Sequence, residues 1–323
     1  VSPARTGAVK AKRARKPAGT ARVPVAVLVL NYNGKALSEA CVASWLKARP
    51  RPRRLLLVDN GSRDGSVAYL RRRFPGLELL ALPENLGFAA GNNRGFEHLR
   101  RRGPAVEAVF VCNNDTEVDP GMLGELWSEF RARPNWGAAG PRILFHGIRR
   151  IWFEGGFIRA LSGRPGHLGY GREAGPAGGA FELPAHGFVT GCGLLVRSAA
   201  LRELGGFDER FWAYAEDSDL CLRLRSMGLR CGVVPRASMS HKVSATFTLG
   251  SPLSFYYITR NSYALLRIHA LGFGPATRAA FAGVSALRAA RALALGRPRL
   301  AKAIVLGLGD ALRGRWPLYG GGA

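Results

Sequence analysis

"AVFVCNNDTEVDP" spans Ala108–Pro120. A run of apolar residues and a cysteine passes straight into Asn113, Asn114 and Asp115. No polar residue alternates with the apolar ones, so the run reads as a strand buried on both faces. The polar cluster then falls at the carboxyl end of that strand. Asn-Asn-Asp is a good turn sequence, and a plain turn is one reading. A carboxylate flanked by amides also suits a hard divalent cation that binds phosphate oxygens. The position of the cluster in the fold has to decide between them.

The same pattern recurs upstream. "VAVLVL" (25–30), "RLLLVD" (54–59) and "LELLAL" (77–82) are further apolar runs. Helical stretches separate them. One covers 35–48, with Leu37, Cys41 and Trp45 on a single stripe. Another covers 65–73, with Asp64 placed to cap it, and a third about 89–101. After the fourth strand, Asp119 and Pro120 read as the N-cap and first residue of a helix running to about Ala132. Strand–helix alternation four times over predicts an α/β fold, with a mostly parallel central sheet and helices on both faces. In such sheets ligands bind beyond the carboxyl ends of the strands. Four clusters fall there: Asn31-Tyr32-Asn33, Asp59-Asn60-Gly61, Asn85-Leu86-Gly87 and Asn113-Asn114-Asp115.

The second half is less regular. Residues 142–190 are Gly-rich and predict short strands and loops, and "FVTGCGLLVR" (188–197) predicts one more strand. In "EDSD", Glu216, Asp217 and Asp219 crowd three carboxylates into the start of a helix over 217–228, with Leu220, Leu224 and Met227 on one face. Crowded like charges raise one another's pKa, which a site can use to set a general base. Acids at a helix N-terminus are also common for dipole reasons alone. "CGVVP" (231–235) predicts a strand, with His241 in the loop after it. That histidine matters only if it completes the shell of an ion at Asp115. Beyond 251, apolar and Arg-bearing stretches alternate as in amphipathic helices.

Composition narrows the function classes. The formal charge is +25, but residues 1–22 carry seven Lys/Arg and no acid, and residues 251–323 carry a net +9. Basic ends attract polyanions; an Arg- and Ala-rich compositional bias accounts for such an excess equally well. A nucleic-acid binder would interleave its basic residues with aromatics on one surface, whereas here the strand ends are rich in amides and acids. The five cysteines are scattered without CxxC spacing and read as reduced core residues. No stretch reaches about 18 uncharged apolar residues, which argues against a transmembrane helix. The N-terminal stretch lacks an apolar signal core and reads as a disordered tail. Neither GxxxxGK[ST] nor a GxGxxG after the first strand is present, which disfavours a P-loop enzyme and a dinucleotide dehydrogenase.

Taken in order, "VLNYNG", "VDNGSRDGS", "ENLGFAAGNNRG", "CNNDTEVDP", "GCGLLVR", "GGFDERFWAYAEDSDLCLRLRSMG" and "VPRASMSH" resemble the family 2 glycosyltransferases, particularly their rhamnosyltransferase-like branch. The resemblance covers residues 25 to about 245. It implies a Rossmann-like glycosyltransferase-A fold, with a nucleotide-binding half at 23–140 and an acceptor half at 141–250. A basic tail (1–22) and a helical region (251–323) flank them. It implies that Asn31, Tyr32, Asn33, Asp59 and Asn60 hold base and ribose, that Asn85, Gly87 and Asn92 line the donor site, and that Asn114 contacts ribose. Asp115 matches the aspartate on the diphosphate-bridging metal, Mg²⁺ or Mn²⁺, and His241 a histidine that completes that site. Asp217 matches the catalytic base, with Glu216, Gly191 and Trp212 toward the acceptor. Where the family motif is often Asp-rich, this chain has Asn113 and Asn114, which lowers site charge. One base and no opposing nucleophile imply a single inverting displacement. The donor implied by the branch is dTDP-rhamnose, with UDP-sugars open. The acceptor would be a saccharide or lipid-linked glycan in cell-envelope synthesis, and no nucleic-acid partner is expected.

"SPLSFYYITRN" (251–261) extends the resemblance. There Tyr256, Tyr257 and Arg260 could face lipid headgroups and the later helices an anionic membrane, or the helices could simply pack on the catalytic domain. The expected location is cytoplasmic, and peripheral on the inner face of the plasma membrane in the first case. A nucleotidyltransferase on the same fold would leave "EDSD" without a role. A pseudoenzyme is disfavoured by Asp115, Asp217 and His241.

Overall fold

The computed structural model describes residues 22–243, 251–270, 274–316 and 318. The predicted basic tail lies outside the described residues except for Arg22.

The four apolar runs form β1 (Arg22–Asn31), β2 (Arg51–Asp59), β3 (Glu78–Ala81) and β4 (Ala108–Asn113), all parallel in the order β3-β2-β1-β4. Between them run α1 (Lys35–Lys47), α2 (Ser66–Arg73) and α3 (Gly87–Arg101). Parallel crossovers are right-handed, so α1 and α2 cover one face and α3, which carries the chain back from β3 to β4, covers the other. Packing agrees. Trp45 of α1 meets Phe110 edge-on with centroids 5.3 Å apart, and Phe110 is in register with Val27. The next residue, Leu28, points to the other face, where it lies with Val58 against Gly95 of α3.

Beyond β4 the sheet continues through β12 (Gly193–Arg197), β6 (Trp136–Phe145), β13 (Arg230–His241) and β10 (Phe181–Glu182). β12 is antiparallel to both neighbours, while β6 and β13 are parallel to each other. Thus one mostly parallel sheet runs through both expected halves, and β6 spans residues 140 and 141. α4 (Met122–Arg131) and α6 (Glu216–Ser226) pack on its β6–β13 side. A smaller sheet, β11 (Gly187–Phe188), β8 (Gly156–Ile158) and β9 (Pro165–His167), stands over the carboxyl ends. α7 (Pro252–Ile268), α8 (Pro275–Ala294) and α9 (Pro298–Arg313) follow. α7 and α9 pack closely; a Cβ on Gly307 of α9 would lie 2.6 Å from the Tyr256 carbonyl oxygen.

Four expectations need correction. The helix after Pro120 begins at Met122, because β5 (Thr116–Val118) first stays extended to pair with β13. The strand predicted over 188–197 is two strands in different sheets, β11 and β12, separated by Val189–Cys192. His241 is not in a loop but ends β13, paired with Thr116 and Phe145. Pro235 sits inside the register irregularity between Val234 and Ser238, so the strand resumes where the apolar run had stopped. Finally, Tyr256, Tyr257 and Arg260 are each only 1% exposed, so they face the protein interior and not lipid headgroups. All five cysteines are free and buried, as expected.

Candidate active site

The strand ends converge on a cavity of about 460 Å³, a size suited to a small-molecule site. Tyr32, Asn60, Asn85, Gly87, Asn114 and Asp115 line it. Gly191, Trp212, Glu216, Asp217 and His241 line it as well. Three sequence-derived candidates stand behind this wall. Asn31 and Asp59 are buried and bond to each other, Asn31 Nδ2 donating to Asp59 Oδ2 at 2.7 Å. Asn92 is buried in α3, its amide donating to the Phe88 carbonyl at 2.9 Å. Asn33 is exposed, with φ +49°, and its Oδ1 accepts from the Arg63 N–H.

A buried amide network holds the part of the cavity formed by Asn60, Asn85 and Asn114. Asn31 Oδ1 accepts from Asn114 Nδ2 at 2.7 Å and from Ser38 Oγ at 2.8 Å. Asp59 Oδ1 accepts from the Ser62 N–H at 2.9 Å, which folds the turn after β2. Asn60 donates to Asn85 Oδ1 and to the Gly87 carbonyl, and accepts from the Leu86 N–H. Buried polar groups must be paired, so these contacts fix the loop geometry at each strand end. Gly87 is required as glycine: φ is +82° and a Cβ would lie 2.5 Å from the Trp212 ring.

Asp115 and His241 form the second feature. Asp115 Oδ2 and His241 Nε2 are 3.1 Å apart, and both residues are buried. Two cis ligands about 2.1 Å from an octahedral ion stand about 3.0 Å apart, so this carboxylate–imidazole pair fits a divalent ion of the Mg²⁺ or Mn²⁺ size. Cys192 lies beside them, its sulfur accepting from Asn113 Nδ2 at 3.2 Å. Burial presses the His241 ring down, but the Cys192 sulfur and the Asp115 carboxylate more than offset it. The ring is pushed up to about 10, so it must release its proton to serve as a metal ligand.

The three acids of "EDSD" separate once folded. Asp219 is fully buried away from the cavity, paired with Arg223 at 2.7 Å and His269 at 2.9 Å. Asp217 is half-buried; its Oδ2 accepts from the Gly191 N–H at 3.0 Å and its Oδ1 from the Ser218 N–H at 2.6 Å. Burial raises its pKa, against the lowering effect of those N–H groups. Glu216 is buried, and burial followed by the Asp217 charge holds its carboxyl well above the usual range. The pair therefore offers one carboxylate able to take a proton and one carboxyl that keeps its own.

Several cavity residues carry no legible sequence signal. Trp152, His167, Tyr170 and Phe188 come from the Gly-rich 142–190 stretch and build an aromatic wall. Burial pushes the His167 pKa down, so the ring stays neutral at neutral pH. Ile258, Ser262 and Leu265 of α7 close the cavity from the C-terminal region. Their strands are too short, or their helix too remote, for periodicity to point at a ligand.

Comparison with known proteins places this architecture among the glycosyltransferases. The chain belongs to Glycosyl transferase family 2, whose profile matches residues 26–205. It is 33% identical over 233 residues to N-acetylglucosaminyl-diphospho-decaprenol L-rhamnosyltransferase of Mycobacterium tuberculosis, covering 67% of this chain and 75% of that one. It is 30% identical over 217 residues to O-antigen biosynthesis protein RfbC of Myxococcus xanthus, covering 65% of this chain and 16% of that protein. Among solved structures, the mannosyltransferase PcManGT from Pyrobaculum calidifontis, in complex with GDP-Man and Mn²⁺, superposes with a TM-score of 0.54 at 18% identity. That match covers 92% of this chain and 91% of the other, and it speaks for the shared glycosyltransferase-A-like fold. The protein is a glycosyltransferase of the rhamnosyltransferase-like kind.

Proposed function

We propose that this enzyme moves a sugar from a nucleoside-diphosphate sugar to a hydroxyl of a lipid-linked saccharide in cell-envelope polysaccharide synthesis, with inversion at the anomeric carbon. The observation that carries this is one cavity bearing both the Asp115–His241 pair and the Asp217 carboxylate. The mycobacterial relative is named for a rhamnosyl transfer to N-acetylglucosaminyl-diphospho-decaprenol. That name favours dTDP-rhamnose as donor and a diphospho-polyprenol acceptor. The apolar side chains of Ile158, Pro165, Ile258 and Leu265 give the cavity a wall compatible with such an acceptor.

Asp115 and His241 would hold a divalent ion, Mg²⁺ or Mn²⁺, which when bound neutralises the diphosphate leaving group. Tyr32, Asn60 and Asn85 would bind the nucleoside. Asp217 takes the proton of the acceptor hydroxyl as that oxygen attacks the anomeric carbon and the bond to the diphosphate oxygen breaks. A free hydroxyl has a pKa far above neutral, so the base must be within hydrogen-bond reach and partly desolvated, as Asp217 is. A single displacement inverts the centre.

Membrane contact is a further part of the proposal. No helix among the described residues is long and apolar enough to cross a membrane. α8 and α9 nonetheless expose Leu287, Leu293, Val305 and Leu306, and also Arg291, Arg299 and Lys302. A basic surface studded with apolar side chains suits an anionic bilayer. Vesicles containing anionic lipid should sediment the protein, and Leu287→Glu with Val305→Glu should release it; binding that ignores both charge and substitution removes this part.

The central test is nucleoside-diphosphate release from dTDP-rhamnose, UDP-sugars and GDP-mannose, with Mn²⁺ and N-acetylglucosaminyl-diphospho-polyprenol. A bound donor at about 100 times its Kd should stabilise the fold by about 2.7 kcal/mol. If no nucleotide-sugar shifts the melting temperature, with or without Mn²⁺, the proposal fails.

A further inference from the structure

We propose that Asn261 of α7 is a positioning residue for catalysis: its side-chain amide holds the Ala213–Ala215 turn in the left-handed form that presents Glu216 and Asp217 to the cavity. The inference rests on the reading of Asp217 as the base. It concerns a residue outside the 26–205 family match.

The turn is strained. Tyr214 and Ala215 have φ of +69° and +71°. A Cβ makes left-handed backbone costly, and two such residues in succession persist only where their surroundings over-determine them. Neither position is glycine. Ala215 is also the N-cap of α6, and no side chain caps that helix. The conformation must therefore be held from outside the segment.

Asn261 supplies that hold. It is fully buried, and its Nδ2 donates to the Ala213 carbonyl at 2.7 Å and the Tyr214 carbonyl at 2.9 Å. Both N–H bonds of the amide are thus spent on the two carbonyls that the turn directs toward α7. Its Oδ1 accepts from Arg260 Nε at 2.8 Å. The amide has one satisfying orientation, since a flip would face its NH₂ toward the guanidinium and its oxygen toward two carbonyls. Arg260 is fixed in turn against the rings of Tyr256, Tyr257 and Trp316, at 5.4, 4.9 and 5.4 Å. Tyr257 stacks at 5.1 Å on Trp212, the residue that leads into the turn. The aromatic and basic side chains of "FYYITRN" are therefore a brace for the turn.

The consequence for the site is geometric. Asp217 lies two residues beyond Ala215 and accepts hydrogen bonds from the Gly191 N–H and from the N–H and hydroxyl of Ser218. Relaxing φ at 214 and 215 toward ordinary values swings the first residues of α6 and moves the carboxylate off the acceptor. The Asn31–Asn114 and Asn60–Asn85 contacts that shape the donor side include no residue of the Ala213–Ala215 turn.

The test uses the full chain with Asn261→Ala, Asn261→Asp and Asn261→Ser. Amide hydrogen exchange over residues 212–219 is read first, since it needs no substrate. In Asn261→Ala it should quicken by about tenfold or more while the strands keep their protection. With dTDP-rhamnose, Mn²⁺ and the polyprenol acceptor, kcat should fall by about tenfold or more while donor Kd stays within about threefold. Asn261→Asp sets a carboxylate against two carbonyls and should be worse. Asn261→Ser keeps one donor and should fall between wild type and alanine. Unchanged exchange at 212–219, or kcat within about twofold of wild type in a folded variant, overturns the proposal. So does an equal loss of donor binding, kcat and global protection, which marks a structural role alone. Asp217→Asn run in parallel separates the two ideas: turnover retained there sinks the base assignment, while the exchange measurement still decides what Asn261 holds.

Discussion

Asp217→Asn separates proton removal from everything else the carboxylate does. In the folded protein one oxygen accepts from the Gly191 N–H at 3.0 Å and the other from the Ser218 N–H at 2.6 Å. An asparagine keeps one oxygen and turns its NH₂ toward one of those N–H groups. That loses one charge-assisted hydrogen bond, about 1.5–3 kcal/mol. Part of it returns, because the desolvation that raises the Asp217 pKa vanishes with the charge. The net change in stability should stay within about 2 kcal/mol, small enough to keep the variant folded. Catalysis should suffer more. A positioned general base contributes about 10²–10⁴-fold, equivalent to about 2.7–5.5 kcal/mol of barrier. Donor affinity should hold, since the hydrogen bonds of Asp217 run to Gly191 and Ser218, whereas the donor-side network is held by Asn31, Asn114, Asn60 and Asn85. The assay is initial-rate release of nucleoside diphosphate, with donor Kd by calorimetry and a melting curve on the same preparation. A folded variant that keeps more than about a tenth of wild-type turnover refutes the base assignment. Loss of donor binding in step with turnover refutes it too, because Asp217 would then be a binding residue. The wild-type profile carries the sign: a base works deprotonated, so kcat/KM should rise with pH through a pKa above the ordinary aspartate value of about 3.9.

Three further outcomes are expected. Asp115→Asn and His241→Ala should each raise the Mn²⁺ concentration for half-maximal activity by about tenfold or more, and excess chelator should stop the wild-type enzyme; full activity in chelator removes the metal from the proposal. Glu216→Gln tests the buried carboxyl. Its folded pKa is raised, so its stabilising contribution is complete below the unfolded value of about 4.3 and drains away as pH rises through the folded pKa. Glutamine cannot ionise, so the variant should gain on wild type in melting temperature from pH 5 to pH 9, and a constant gap would show that Glu216 is not held protonated. Gly34→Ala places a Cβ 2.1 Å from Asn114 Nδ2. It should cost about 1–3 kcal/mol and weaken donor binding by pushing Asn114 off Asn31, whereas an unchanged melt and Kd would mean that this network does not shape the donor side.

Much of the first half was legible because its signals are local. Uninterrupted apolar runs such as Val25–Leu30 can be buried on both faces only in the middle of a covered parallel sheet, and polar clusters after each run then fall on one edge. Asp59 and Asn31 show the limit of that logic. Both are at the edge, yet their side chains pair with each other behind the cavity wall. The second half hid more. "FVTGCGLLVR" looks like one strand, but its two ends serve different sheets, and Pro235 disguises the stretch that carries His241 to Asp115. The aromatic wall comes from short strands whose placement depends on pairing partners far along the chain.

By itself the sequence determined the α/β alternation, the parallel sheet, the family and the candidates Asp115, Asp217 and His241. These follow from periodicity, turn chemistry and ordered motifs, all of which act over a few residues. Only the tertiary structure decided which acid of "EDSD" faces the cavity and which is neutralised by Arg223 and His269. It also decided that Tyr256, Tyr257 and Arg260 are interior, and that Asn261 grips carbonyls 47 and 48 residues earlier in the chain. The physical reason is the same in each case. Burial and pairing are properties of what packs against a side chain, and those neighbours come from distant segments that no local pattern names.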